Sequence, residues 1–285
     1  MKKTFIIFAL LLVLSGCGQN VQNSQPKALP PNEIMADEKT PEIPNNEQID
    51  SLLPVQEEGR NEVNTTAEET APQIAPLPDN FDQKISFQPQ APTGKWVMPY
   101  QEFCEEAVLI LADKHLKGEK LSKSIMDEEL LALKDLETAH FNTFTDTSLG
   151  EVAIIAREYF KLDAQISGDL SLENIKNNLL AGNLIIAPTA GRLLGNPYFT
   201  GKGPIYHYLL IKGWTATQFI THDVGTWRGA NFKYNYQTVI DAIHDLPKAD
   251  NGLPIRYYDE TTMPDEQKAS GILTGEKKII ILRKQ

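Results

Sequence analysis

The sequence predicts an α+β fold in which N-terminal helices pack on an antiparallel sheet. Between residues 104 and 182, apolar side chains recur at the three- and four-residue spacing of amphipathic helices. After residue 183 this spacing gives way to short apolar runs, which are typical of strands. Two of these runs are separated by only a few residues, which favours an antiparallel hairpin. Because helices come first and antiparallel strands follow, the pattern indicates two packed layers.

The helical part divides into four segments. The first covers residues 104–118 and ends at Gly118, since glycine is a common C-cap residue. The second covers residues 127–137, where leucines line one side. The third opens with the run 148–151, Ser-Leu-Gly-Glu, a capping box in which each polar side chain satisfies a backbone N–H at the helix start. The fourth covers residues 171–182 and stops at a glycine.

The strand part begins with an apolar run at residues 183–187, which we expect Pro188 to end because proline lacks a backbone N–H. Residues 204–213 and 218–223 form the predicted hairpin, with the turn at 214–217. The last predicted elements are a helix at 236–246 and a closing strand at 277–282.

The N-terminus has the organisation of a secretion signal. Met1-Lys-Lys-Thr is basic, and the apolar stretch from Phe5 to Leu14 is too short to span a bilayer comfortably. The run that follows, Leu14-Ser-Gly-Cys17, resembles a bacterial lipobox. This resemblance implies cleavage before Cys17 and attachment of diacylglycerol to its sulfur. We therefore predict that residues 1–17 are a lipoprotein signal peptide, with an ordinary signal peptide and an incidental cysteine as the alternative.

Residues 18–84 are predicted to be a disordered linker. This segment holds 13 acidic and 4 basic residues, a net charge of −9 against −11 for the whole chain, and it shows no apolar periodicity. Such a composition cannot bury enough apolar surface to offset the entropy of ordering. Residues 85–285 are then left as one compact domain. Since that domain carries no basic stripe, we expect no nucleic-acid partner, and we expect a monomer.

Cysteine usage points to residue 104. The chain has only two cysteines, and lipid would occupy the sulfur of Cys17, so Cys104 has no disulfide partner. A lone thiol in an exported protein invites oxidation, which suggests that it has a use. Cys104 also lies in the first turn of a predicted helix, where unpaired N–H groups and the macrodipole favour thiolate over thiol. The alternative is that Cys104 is a small buried apolar residue.

The predicted hairpin brings a histidine and an aspartate together. If residues 214–216 form the turn, facing residues have numbers that sum to 430, and His207 lies directly opposite Asp223. The inference depends on register, because a shift by one residue makes the pairing diagonal or abolishes it. His222 would point to the opposite face, so we interpret it as a rim or structural residue.

A thiol, a histidine and an acid are the groups that nucleophilic acyl transfer requires. Cys104 would attack a carbonyl, His207 would accept the thiol proton and pass it to the leaving group, and Asp223 would orient His207. A helical cysteine followed by a histidine and an aspartate on strands is the arrangement of the papain superfamily.

Several runs narrow this resemblance to one group of peptidases. They resemble the peptidase-like domain related to the bacteriocin-processing, double-glycine-leader cysteine peptidases, and they extend over nearly all of residues 85–246. The runs are Phe87-Gln-Pro-Gln-Ala-Pro-Thr-Gly-Lys-Trp96, Pro99-Tyr-Gln-Glu-Phe-Cys-Glu-Glu-Ala107, Ala190-Gly-Arg-Leu-Leu-Gly-Asn-Pro197, Gly203-Pro-Ile-Tyr-His-Tyr208 and Phe219-Ile-Thr-His-Asp-Val-Gly-Thr226.

The resemblance implies a papain-like cysteine peptidase fold and a role for a glutamine upstream of the cysteine. That glutamine's side-chain amide would help to hold the oxyanion, and the match places it at Gln90, with Gln101 as the less favoured candidate and Gln88 left open. The backbone N–H of Cys104 would be the other donor. One departure stands out: many relatives have Gly-Pro-Ala after the cysteine, whereas this chain has Glu105-Glu106-Ala107. Two negative charges beside the sulfur oppose thiolate formation.

Other chemistries find little support in the sequence. A domain with one cysteine and no His-Glu-x-x-His motif has no recognisable zinc site, so we expect neither a metal nor a cofactor. The remaining histidines, His115, His140 and His244, are interpreted as surface or packing residues. A set of aromatic residues either lines a substrate cleft or packs in the core. They are Tyr198, Phe199, Tyr206, Tyr208 and Trp227.

The sequence as a whole predicts a thiol peptidase that is lipid-anchored to a bacterial membrane outside the cytoplasm and acts on a peptide or protein substrate. The alternative is a catalytically inactive lipoprotein that binds peptide or cell-wall fragments in the same cleft. The sequence identifies neither the substrate nor which bacterial membrane carries the anchor.

Overall fold

The computed structural model describes residues 76–285. The predicted signal peptide, Cys17 and most of the predicted linker therefore lie outside the described residues. The described part contains helices and an antiparallel sheet, which agrees with the predicted α+β class. The helices are α1 Cys104–Lys117, α2 Lys123–Phe141, α3 Leu149–Glu158, α4 Leu172–Leu180, α5 Tyr236–Ala242 and α6 Asp265–Gly271.

Seven strands form one sheet within the described residues, and every pair is antiparallel. The strands are β1 Phe81–Asp82, β2 Leu162–Ser167, β3 Leu184–Ala190, β4 Tyr206–Trp214, β5 Gln218–Asp223, β6 Phe232–Asn235 and β7 Ile279–Lys284. Their order across the sheet is β2-β7-β3-β4-β5-β6, with β1 paired to one end of β4. Strand β7, the last strand in chain order, thus lies in the interior of the sheet between β2 and β3.

Helices cover both faces of the sheet, so the molecule has three layers instead of the two that the sequence predicts. Alternation along β4 shows the reason: Tyr208 and Leu210 face the core under α1–α3, whereas Leu209 and Ile211 face the core under α4 and α5. Every residue of β4 is buried. A strand buried on both faces has a nearly continuous apolar run, and such a run does not show on which sides helices pack.

The sheet begins earlier in the chain than predicted. Phe81 pairs with Trp214 and Asp82 with Gly213, although the sequence analysis assigned these residues to the linker. Lys212, which is almost fully buried, gives the physical reason: its ammonium binds the carboxylate of Asp82 and the carbonyl of Gln83. A buried cation needs such a partner, and the start of the described segment supplies it.

Pro188 does not end β3, which continues to Ala190. The carbonyl of Pro188 accepts a hydrogen bond from the backbone N–H of His244 at 3.1 Å, so the hydrogen-bonding groups of Pro188 face away from β4. The pairing of β3 with β7 stops at Ile186, before Pro188 is reached. The missing N–H of Pro188 therefore costs no ladder bond.

The strands β2 and β6 and the helix α6 were not predicted.

Helix α1 is the central helix of the fold. Its first ten residues, from Cys104 to Asp113, are all buried, and Gly118 ends it in the left-handed conformation at φ 70°. Ser122 caps α2 by accepting the N–H of Ile125, which starts that helix four residues earlier than predicted. Within residues 76–285, no helix combines the length and apolar character needed to cross a membrane. The burial of α1 brings two glutamates, Glu105 and Glu106, into the interior beside Cys104.

Candidate active site

Cys104 and His207 border the same cavity, which has a volume of about 620 Å³ and which we term the main cleft. Cys104 comes from the first turn of α1 and His207 from the start of β4. The other walls come from the segment before α1 and from two loops, one before β4 and one after β5. They are Gln90, Trp96, Gln101, Glu102, Tyr198, Phe199, Thr200, Pro204, Tyr206, Gly225, Thr226 and Trp227.

His207 and Asp223 are in contact, although not directly opposite each other. Asp223 faces Leu209, so facing residues near the site sum to 432 and the predicted register is wrong. The difference arises because the turn lies later than predicted and a bulge interrupts the pairing between Ile211 and Gly213. His207 is therefore diagonal to Asp223, and its imidazole still reaches across: Nε2 lies 2.8 Å from Oδ1. Both side chains are buried.

Asp223 is held by donors on several sides. Oδ2 accepts hydrogen bonds from Asn196 at 2.8 Å and Tyr234 at 2.5 Å, and Oδ1 also accepts the backbone N–H of Gly225 at 3.1 Å. Burial by itself raises the pKa of Asp223, but the charge and hydrogen bond of His207 and the bonds from Tyr234 and Asn196 outweigh it and lower that pKa. Asp223 is thus an ionised acceptor. The Nε2–H of His207 must donate to it, which leaves Nδ1 as the nitrogen that can take a proton.

Neighbouring groups fix the orientation of the His207 ring. The Thr189 hydroxyl donates to the carbonyl of His207 at 2.9 Å, and Phe199 meets the imidazole edge-on with ring centroids 5.4 Å apart. Gly225 leaves the room that the ring needs, because a Cβ there would lie 2.8 Å from the Cε1 of His207. Gly191 does the same on another side, where a Cβ would lie 3.0 Å from the Cβ of His207.

His222 is a structural residue, and it is buried instead of lying at the rim. Its Nδ1 accepts the N–H of Asn231 at 3.2 Å, so the neutral ring carries its proton on Nε2 and donates it to the carbonyl of Ile85 at 3.0 Å. Burial lowers the pKa of His222 to about 4. Both ring nitrogens are occupied, which leaves none for chemistry at the main cleft.

Cys104 donates its thiol hydrogen to a carboxylate. Its Sγ lies 2.9 Å from Oε2 of Glu105, whose other oxygen accepts the backbone N–H of Thr147 at 3.1 Å. Among the described residues, no hydrogen bond joins this sulfur to His207. Burial raises the pKa of Cys104 well above its ordinary value, and the negative charges of Glu105, Glu106 and Glu102 raise it further. The expected stabilisation of thiolate by the helix N-terminus is thus outweighed.

Two more buried carboxyls lie behind this pair. Glu106 and Glu137, on α1 and α2, are fully buried, and neither receives a hydrogen bond from a described donor. Burial raises the pKa of Glu137 to about 8 and raises that of Glu106 well above its ordinary value. A proton on Glu106 would form a hydrogen bond to Glu137, which explains how the two carboxyls face each other. The interior around the start of α1 is rich in acid groups and poor in cations.

The glutamines predicted to hold the oxyanion occupy different environments. Gln90 lines the main cleft, but both hydrogens of its amide are donated to backbone carbonyls, those of Tyr100 at 3.0 Å and Gln101 at 2.9 Å. Its buried Oε1 has no described partner. Gln101 also lines the main cleft, is exposed, and donates to the carbonyl of Trp96 at 3.2 Å. Gln88 is not among the lining residues.

The aromatic residues divide between cleft and core. Tyr198 and Trp227 are about half exposed, at 44% and 50%, and line the main cleft together with Phe199 and Tyr206. Tyr208 is fully buried, and its hydroxyl donates to the carbonyl of Thr147 at 3.1 Å.

A second cavity of about 520 Å³ also borders Cys104. Its lining includes Glu102, Glu105, Asp146, Tyr257 and Lys268. The thiol thus sits where two cavities meet.

The structure also identifies residues that the sequence analysis did not. Asn196 and Tyr234 bind Asp223, and Thr147 binds Glu105. Asn196 lies in the run 190–197 but was assigned no role from sequence, and the other two belong to no quoted run. Neither His115 nor His244 lines the main cleft. His115 is half-buried and bonded to Gln83 at 3.1 Å, and His244 is buried.

Within residues 76–285, no group of three or more histidine, cysteine or acidic side chains is arranged to hold a metal ion.

Comparisons with known proteins give little further information. No family model matches the chain, and no curated protein is similar to it. Among solved structures, the chain is similar to that of a candidate C39-like peptidase from Bacillus anthracis, at 14% sequence identity and a TM-score of 0.26. The aligned part covers 49% of this chain and 60% of that one, less than two thirds of its length. The interpretation of the site therefore depends on its own geometry.

Proposed function

We propose that the protein is a thiol peptidase that hydrolyses a peptide or related amide bond through a thioester acyl-enzyme. One observation carries the proposal: a buried imidazole, oriented by an ionised carboxylate at 2.8 Å, shares a cavity with a cysteine at a helix N-terminus. An aspartate that is held by several donors fixes the tautomer of its histidine partner. The nitrogen left free is the one that a general base needs.

The proposed reaction has two halves, acylation of Cys104 and hydrolysis of the thioester, and His207 transfers a proton in each. The sulfur of Cys104 attacks the substrate carbonyl as its proton passes to Nδ1 of His207, and the imidazolium then gives that proton to the departing amine. Water attacks the thioester with His207 as the base, and this releases the acid and restores the thiol. The first N–H groups of α1 have no acceptor within the helix and supply donors for the oxyanion. A second donor from Gln90 would require one of its amide hydrogens to leave a backbone carbonyl, whereas Gln101 is exposed at the same cleft.

The experiment uses the full-length chain with Cys17→Ser, so that Cys104 is the only thiol, and short peptides that carry a vinyl sulfone electrophile. Labelling is expected at Cys104 and should disappear in Cys104→Ala. His207→Ala should slow labelling by roughly a hundredfold or more, because general-base catalysis contributes about that much. His115→Ala, which changes a histidine outside the main cleft, is the matched control. Equal labelling of the folded His207→Ala and parent chains would contradict the proposal.

We also propose that Cys17 carries a lipid that anchors the protein to a bacterial membrane outside the cytoplasm. Support comes from the lipobox-like run alone, since Cys17 lies outside the described residues. An alkyne-tagged fatty acid fed to expressing bacteria should label the natural chain and fail to label Cys17→Ser. Equal labelling of both chains, or partition of both into the aqueous phase, would remove the anchor from the proposal.

A second candidate function is a non-catalytic lipoprotein that binds peptide or cell-wall fragments in the main cleft. The hydrogen bond from Cys104 to Glu105 favours it, because a thiol held in this way is a poor nucleophile. A binding protein should hold unmodified peptides equally well in the parent chain and in Cys104→Ala, and it should release them intact. A peptidase should form a thioester that Cys104→Ala cannot form.

A further inference from the structure

We propose that Glu105 is a positioning residue that keeps the proton of Cys104 on the sulfur and so restrains the nucleophile in the resting protein. The inference rests on the proposed function, since restraint matters only if Cys104 attacks a substrate. It assigns to Glu105 a role opposite to that of Asp223. Asp223 prepares His207 to take a proton, whereas Glu105 competes with His207 for it.

The contact itself is direct and enclosed. Sγ of Cys104 lies 2.9 Å from Oε2 of Glu105, and both side chains are buried, at 6% and 2% exposure. A carboxylate oxygen at this distance accepts the S–H hydrogen. Attraction between the partial charges is strong where water is excluded. As long as the hydrogen bond persists, Cys104 remains a neutral thiol.

The carboxylate is held in place by a loop that is itself fixed by buried hydrogen bonds. Oε1 of Glu105 accepts the N–H of Thr147 at 3.1 Å, in the loop before α3. The carbonyl of the same residue accepts the hydroxyl of Tyr208 at 3.1 Å, which in turn lies 2.9 Å from that of Tyr206. Oδ1 of Asp245 lies 2.8 Å from the hydroxyl of Tyr206, whose single hydrogen is directed either to Tyr208 or to Asp245. A buried chain of hydrogen bonds therefore fixes the loop that fixes Glu105, and the contact with sulfur is part of the packed interior.

Other acids near the sulfur act in the same direction as Glu105. Glu102 lies just before α1 and Glu106 follows on it, and Asp146 borders the second cavity beside Glu105. Two groups would favour thiolate: His207 on β4 in the main cleft, and Lys268 on α6 in the second cavity. In the resting arrangement the sulfur has a carboxylate as its hydrogen-bond partner, and the restraint is released when that partner is neutralised or moved.

The test is the alkylation rate of Cys104 by iodoacetamide as a function of pH, in the full-length chain with Cys17→Ser. In this reaction the thiolate sulfur bonds to carbon and iodide leaves, so the rate follows the thiolate fraction whether or not the protein cleaves peptides. Glu105→Gln keeps the shape and the acceptor for Thr147, but its amide can donate to sulfur. We expect alkylation at pH 7 to become at least tenfold faster and the midpoint of the pH profile to fall by one unit or more.

Two further variants separate the contact from charge and from misfolding. Glu128→Gln, on the exposed face of α2, removes one negative charge that is not among those acting on Cys104, and it should leave rate and midpoint unchanged. Glu105→Asp keeps the charge but shortens the side chain by one methylene, so it should give an intermediate rate. Far-UV circular dichroism and the alkylation rate in urea identify a variant that has unfolded. If Glu105→Gln fails to fold, Glu105→Asp decides.

The outcomes distinguish this inference from the proposed function. A parent-like rate and midpoint in folded Glu105→Gln would overturn the restraint, even if peptides are cleaved. A rate increase of the same size in Glu128→Gln would also overturn it. Faster alkylation of Glu105→Gln without labelling by any vinyl sulfone peptide would support the restraint and contradict the peptidase proposal.

Discussion

The two sides of the main cleft are built on opposite electrostatic principles. On the strand side, Asp223 is buried with four hydrogen-bond donors, from His207, Asn196, Tyr234 and the backbone of Gly225. These donors offset the cost of burying its charge, and they lower its pKa against the effect of burial. The negative charge on this side is therefore stable and directed at one partner.

On the helix side, no ion pair within residues 76–285 includes Glu105, Glu106 or Glu137, and Arg256 pairs with Glu151 instead. Burial raises the pKa of Glu105 well above its ordinary value, and it raises the pKa of Glu102 to about 8. Glu106 and Glu137 lack described donors altogether. Burying an ion without a partner is costly, so Glu102, Glu106 and Glu137 retain protons to higher pH. Glu105 differs because it accepts hydrogen bonds from Cys104 and Thr147, and the bond from Cys104 opposes the effect of burial on its pKa.

The comparison shows that the same type of side chain can hold a charge or a proton according to its neighbours. The strand side prepares a base, and the helix side keeps protons on the thiol and on the acids that lack hydrogen-bond donors. Replacing a carboxyl with an amide should therefore have opposite effects on stability on the two sides.

The largest effect is expected for Asp223→Asn. The change leaves Nε2–H of His207 and the hydroxyl of Tyr234 facing an amide instead of a carboxylate. A hydrogen bond to a buried carboxylate contributes about 1.5–3 kcal/mol, so loss of these two would cost roughly 3–6 kcal/mol. We therefore expect the free energy of unfolding, measured in urea at pH 7, to fall by roughly that amount. The matched control is Asp163→Asn: its pair with Arg283 spans 3.4 Å and is about half exposed, so the loss should stay below about 1 kcal/mol. Equal losses in the two variants would show that the donors around Asp223 do not stabilise its charge.

This contrast was only half predictable from sequence. The pairing of His207 with Asp223 follows from two strands and a short turn, and it survives the wrong register because a side chain as long as histidine reaches a diagonal neighbour. Asn196 and Tyr234 could not be assigned, since they reach Asp223 from separate elements. The glutamates after Cys104 were recognised as opposing thiolate, but their burial depends on α2 and on the loop at Thr147, which no local pattern specifies.

For the fold, the sequence was informative where one periodicity dominates. Helices α1, α3 and α4 follow from clear apolar spacing, and their ends coincide with glycines or serine caps. Strand β2 was missed although Leu162, Ala164 and Ile166 alternate with polar residues, because it is short and interrupts a helical region. The assignment of helices to two faces also could not be predicted, since β4 is apolar throughout.

The smaller effect, of opposite sign, is expected for Glu137→Gln. Burial raises the pKa of Glu137 from 4.5 to about 8, so above pH 4.5 the folded chain keeps a proton that the unfolded chain releases. Stability from this group is then complete below pH 4.5 and is lost as pH rises through about 8. Glutamine stays neutral, so the variant should unfold like the parent at pH 4.5 and should be more stable at pH 9. The gain should be on the order of a few kcal/mol, at most the roughly 5 kcal/mol that a shift from 4.5 to about 8 represents. Urea unfolding at both values measures the difference, with exposed Glu128→Gln on the same helix as the control. A Glu137→Gln chain that is less stable than the parent at pH 9 would mean that the carboxyl of Glu137 is held as an ion, as that of Asp223 is. The two sides of the cleft would then not differ in how they stabilise a buried charge.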